Sequence, residues 1–145
     1  MTENDKWDFI NKLDEKLLQG GVILSEWTTF LAKDAELAFC RGANLSAILA
    51  CQAAIESHLR FDYFKMIDTK GWVFYQLIEK SSLDNILKFE LHELRKYRNK
   101  WVHVEKPDSD SDLLEKPEYI EVELLDVAKK SINIMLKTLY NSPFV

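Results

Sequence analysis

The chain has few residues that break helices: four glycines and three prolines in 145 positions. That scarcity disfavours a turn-rich sheet protein and favours helices. Cysteine is nearly absent too. Cys40 and Cys51 are too few for a disulfide framework. Each sits in or beside an apolar helical segment, so both read as buried thiols in a reducing compartment. No apolar run approaches the length needed to span a bilayer. The start, MTENDKWDF, is polar and carries no signal-peptide pattern, so a cytoplasmic location is expected. Positive charge is not in surplus. A formal net charge of -5 argues against broad, nonspecific nucleic-acid binding but leaves room for a small basic site.

Several chemical signatures are missing as well. There is no glycine loop of the kind that cradles phosphates. His92-Glu93 is followed by Leu94-Arg95-Lys96, so the second histidine of the zincin pattern is absent. No histidine has a glutamate three residues before it, and the di-iron bundle signature fails. Neither cysteine has a histidine near it in sequence, so nothing points to a thiol nucleophile. Neither a metal nor a cofactor is expected.

What is there is helical periodicity. The length fits a single domain spanning residues 1–145 and is enough to bury a core without metals or disulfides. Trp7, Ile10, Leu13 and Leu17 recur at helical spacing before Gly20-Gly21 stops the segment. A second helix is predicted from Ser25 to Phe39, with Trp27, Phe30, Leu31, Leu37 and Ala38 on its apolar side. The third, Asn44 to Lys65, is apolar nearly all round, the mark of a central buried helix. Its alanines would let neighbours approach closely. WVFYQLIEK reads as a short helix, and Ser81 to Asp84 as a fresh N-cap for a helix through Ile86, Leu87, Leu91, Leu94 and Tyr97. Lys106 to Lys116 reads as a polar, acidic surface loop, and Tyr119 to Val122 as a piece that could be extended. A last helix covers Glu123 to Tyr140. The fold expected is all-α, a bundle of about five to six helices.

Within this pattern, LRKYRNKWVHV (Leu94 to Val104) concentrates basic residues. Arginine offers a permanently charged planar fork that suits phosphate oxygens. Histidine takes or gives a proton near neutral pH. Arg98 and His103 would therefore suffice to cleave RNA without metal: the histidine deprotonates the ribose 2′-hydroxyl and the arginine stabilises charge on the phosphate. Residues five apart on a straight helix point about 140° away from each other. The helix must then bend or end within the stretch, or a second protomer must complete the site. The plain alternative is an ordinary basic helix C-terminus that complements the helix dipole.

The run Arg98-Asn99-Lys100-Trp101-Val102-His103 resembles the signature of the HEPN superfamily: an arginine, often followed by asparagine, then a histidine four to six residues on. The upstream LHELRKY resembles the amphipathic run that leads into that motif, and the helix ending AAIESHL resembles the family's other central helix. The resemblance departs at Val102 and Val104, where many members have a small residue and a glycine. It implies an HEPN-like up-and-down bundle, a homodimer with the motif at its interface, and a metal-independent endoribonuclease of toxin–antitoxin or phage-defence type leaving 2′,3′-cyclic phosphate ends. An antitoxin or nucleotidyltransferase partner is implied with it. Carried over, Arg98 and His103 are catalytic and Asn99 orients them. The alternative is a noncatalytic HEPN-like module that binds a partner protein, nucleotide or RNA.

Further residues are candidates on their own chemistry. Glu56, a carboxylate in an apolar helix, either pairs with Arg98 or Arg95 and holds that arginine in place, or sits on a helix edge that reaches solvent. Lys96 and Lys100 are candidate contacts to an RNA backbone. Trp101 is expected to pack in the interface between protomers rather than stack on a base. His58 and His92 are expected at the surface. Asp108 to Asp112 are a candidate acidic screen beside the basic stretch.

Overall fold

A computed structural model of the chain describes residues 1–103 and 112–141. The described residues form seven α-helices and no β-strand: α1 (Glu3–Leu17), α2 (Glu26–Cys40), α3 (Asn44–Ser57), α4 (Phe74–Lys80), α5 (Asn85–Val102), α6 (Asp112–Glu115) and α7 (Pro117–Leu139). Six match the expected helices, and the seventh is the four-residue α6. Among the described residues no helix is long and apolar enough to cross a membrane. The acidic run, apart from Asp112, lies with Val104 outside the described residues.

Local chemistry explains most boundaries. Thr2 caps α1 in a capping box with Asp5, Ser25 caps α2 through the Thr28 amide, and Asp84 caps α5 through the Leu87 amide. Between α2 and α3 the chain turns through Gly42 at φ +84°. The Ala43 amide donates to the Ala38 carbonyl at 2.8 Å and the Gly42 amide to that of Phe39 at 3.1 Å. This is a Schellman stop, and its left-handed position is why glycine stands there.

α3 is the hub. Ala47, Ile48, Cys51, Ala54 and Ile55 are fully buried, and the helix packs chiefly on α2 and α7. The small side chains allow those two helices to come close. Burial raises the Cys40 and Cys51 thiol pKa values, so both remain protonated and unreactive.

Four expectations change. α3 does not run on as an α-helix to Lys65: His58–Tyr63 is a π-helical turn, a wider winding that re-aims the side chains after Ser57. That turn buries His58 to 8% exposure, with its Nδ1 3.1 Å from the Asp62 carboxylate, so it is not a surface residue. Tyr119 to Val122 is helical rather than extended. Pro117 opens α7 at a position where its missing N–H costs nothing, and the line Leu124, Ala128, Ile132, Met135 and Leu139 anchors the helix to the core. On α2, Trp27 and Phe30 face outward, because the narrow Thr28–Ala35–Phe39 stripe is the one that meets the core.

Candidate functional site

α5 carries the motif to one edge of the bundle. The helix ends at Val102, and His103 leaves helical geometry at φ -128°, ψ 69°, its amide still bonded to the Asn99 carbonyl at 2.9 Å. Arg95 and Asn99 are four residues apart and form one row on the helix surface. In helical projection, continued one residue past the helix end to His103, that row falls about midway between Arg98 and His103, which lie about 60–80° to either side. A groove centred on the row is therefore lined by both.

Such a groove exists. A cavity of about 450 Å³ is bounded by Arg95, Arg98, Asn99 and His103 along α5, by Gln52 and Glu56 on α3, and by the segment Trp72 to Tyr75. His103 is exposed, while Arg98 and Asn99 are half-buried. Two guanidiniums and an imidazole thus share a space with one carboxylate and aromatic surface, a combination suited to an anion attached to a planar ring.

Glu56 lines this groove but does not hold a motif arginine. Its Oε1 lies 3.4 Å from an Arg60 terminal nitrogen, one turn along, and among the described residues no carboxylate pairs with Arg95 or Arg98. A neighbour at i+4 reaches the carboxylate without crossing the groove. Arg60 goes further and donates to the backbone carbonyls of Thr69 (2.9 Å) and Trp72 (2.8 Å). It ties the turn before α4 to α3 and fixes the aromatic wall. Gly71, at φ +85°, lets the chain make that turn.

Lys96 and Lys100 do not line the groove. Lys96 pairs on the surface with Glu93 at 3.6 Å, and Lys100 reaches Glu123 on α7 at 3.8 Å, where Tyr97 also donates to Glu123 at 2.8 Å. Trp101 is partly buried and packs against the chain's own core. His92 is not a free surface residue: its Nε2 lies 2.6 Å from Glu79, and its ring packs on Tyr75 at 5.0 Å between centroids.

Three groove residues, Gln52, Trp72 and Tyr75, escaped the sequence reading, in which Arg95 figures only as a partner for Glu56. Arg95 stands in the groove and also caps the Tyr75 ring at 5.2 Å. Trp72 and Tyr75 arrive from a different part of the chain. Gln52 is 2% exposed, and its amide oxygen has no hydrogen-bond partner among the described residues. An unmade hydrogen bond of this kind costs about 1–3 kcal/mol. The one available signal for Gln52 was its spacing, four residues before Glu56 on the same helix.

A larger cavity, about 540 Å³, borders the His58–Asp62 pair and the apolar segment Val22 to Leu24. It has no arginine and no part of the motif in its lining. No protein-family model, curated protein or solved structure matches this chain.

Proposed function

We propose that this chain is a metal-independent endoribonuclease of HEPN type. The supporting observation is that Arg98, Asn99 and His103 line one open groove, in a helical protein whose motif helix ends one residue before the histidine. In this reading His103 takes the proton of a ribose 2′-hydroxyl, the 2′-oxygen attacks phosphorus, and the bond to the 5′-oxygen breaks. The departing oxygen is protonated by the imidazolium or by water. The Arg98 guanidinium holds two phosphate oxygens and offsets the charge that builds on them, and Asn99 orients the phosphate. Arg95, in the same groove, adds a second cation. The reading carries a homodimer in which two grooves adjoin, checked by light scattering at several concentrations.

The test is RNA cleavage in EDTA by the wild type beside Arg98→Ala and His103→Ala. Cleavage by the wild type alone, leaving cyclic-phosphate ends, supports the assignment. Failure of the folded wild type on diverse RNAs overturns it in favour of a binding module, and equal cleavage by all three misplaces the site.

A further inference from the structure

We infer that the groove contains a base-reading subsite, made by Gln52 and Glu56, that selects guanine next to the phosphate held by the motif. The inference rests on the ribonuclease reading for its substrate, but its evidence is separate. Gln52 and Glu56 stand one turn apart on the same face of α3 and both line the groove opposite α5. Glu56 is an acceptor, and only one of its two oxygens is committed to Arg60. Gln52 presents a second acceptor, its amide oxygen, buried and without a partner. A polar group kept dry and unpaired beside an open groove is the mark of a place where a ligand supplies the missing half of the bond.

The chemistry of that ligand follows from the pair. Two acceptors one helical turn apart, bordering one groove, call for two adjacent donors on one edge. Guanine alone among the standard bases has a ring N–H next to an exocyclic amino group. Adenine and cytosine have the amino group beside a bare ring nitrogen, and uracil has a single ring N–H between two carbonyls. Trp72 and Tyr75 supply the apolar surface a base requires, and Arg60 holds their segment in place. Arg95 and Arg98, across the groove, face the phosphate side of such a nucleotide.

The test uses the full chain and four nucleoside 3′-monophosphates, those of guanine, hypoxanthine, adenine and cytosine, titrated by calorimetry. Guanine should bind tightest. Hypoxanthine keeps the ring N–H but lacks the amino group and should bind about tenfold more weakly, the loss of one hydrogen bond. Adenine and cytosine should be weaker again. Gln52→Leu and Glu56→Gln should each remove most of the preference while inorganic phosphate binds as before. If Gln52→Leu does not fold, Glu56→Gln decides. Equal affinity for the four bases, no binding of any of them, or a preference that survives substitution overturns the subsite. The two readings also fail separately. RNA cleavage indifferent to guanine removes the subsite and keeps the nuclease, whereas guanine-selective binding without cleavage of any RNA does the reverse.

Discussion

Arg60 donates to the backbone carbonyl of Trp72 at 2.8 Å, joining the end of the central helix to the aromatic wall of the groove. A second bond, to the Thr69 carbonyl at 2.9 Å, makes the guanidinium a staple across nine to twelve residues of chain. Arg60→Ala removes both bonds and leaves two carbonyls to find water. The expected cost is about 1–3 kcal/mol, read from the urea midpoint. RNA cleavage should also fall, although Arg60 is outside the motif. Lysine cannot reach both carbonyls with a planar fork, so Arg60→Lys should rescue little. An unchanged midpoint would show that the turn is held by something else.

Arg95, rather than its basic neighbours, should matter for substrate. Its Nε donates to His92 Nδ1 at 3.4 Å, which leaves the His92 proton on Nε2, facing Glu79. Packed over Tyr75 as well, the guanidinium is held before substrate arrives. Arg95→Ala should raise KM several-fold with a smaller effect on kcat, the signature of lost ground-state binding. Lys96→Ala breaks an exposed ion pair with Glu93, Lys100→Ala one with Glu123 and a 5.7 Å contact over the Tyr97 ring, and both should change cleavage less than about twofold. The reverse order of effects would mean that RNA approaches along the other side of α5.

Glu36 sets one slope of stability against pH. Burial, with the Asp14 carboxylate nearby, pushes its pKa up from 4.5 to about 7. In the unfolded chain it ionises from about pH 4.5, while in the folded chain it holds its proton to about 7. Stability contributed by this group is therefore present at low pH, falls as pH rises between those values, and levels off above. Because Glu36 is only half-buried, the loss is discounted to about 1–2 kcal/mol. Glu36→Gln should flatten that slope and raise the urea midpoint at pH 8 but not at pH 4.5. Parallel curves for the two proteins would refute this.

His58 works in the opposite sense. Burial lowers its pKa from 6.5 despite the bond to Asp62, so the folded chain keeps the ring neutral. Its contribution is whole above pH 6.5 and is lost as pH falls through the folded value. His58→Asn, measured against the wild type between pH 7.5 and 5, should remove part of the acid-side loss. A loss of equal size in both proteins would assign the acid sensitivity to other groups.

The helices were legible because their signals are local. An apolar residue every three or four positions, Asp84 at a cap and Gly42 at a left-handed stop each act within one or two turns. The same is true of the motif, since Arg98, Asn99 and His103 sit on one short stretch, and where the helix ends decides whether they share a groove. The central role of α3 was also readable, from a run too apolar to face water on any side.

Tertiary structure decided what stands across from that stretch. Gln52 and Glu56 come from over forty residues upstream, and Trp72 and Tyr75 from about twenty-five, so no periodicity along the chain records that they meet. The nearer partner at i+4, Arg60, takes Glu56 because it needs no long-range closure. The π-helical turn buries His58 by changing the winding that a sequence pattern assumes to be constant. Side-chain spacing along α5 determined which residues form its rows. Only the packing of α3 and the α4 entry against α5 determined which row faces a groove and which lysines are left to solvent and α7.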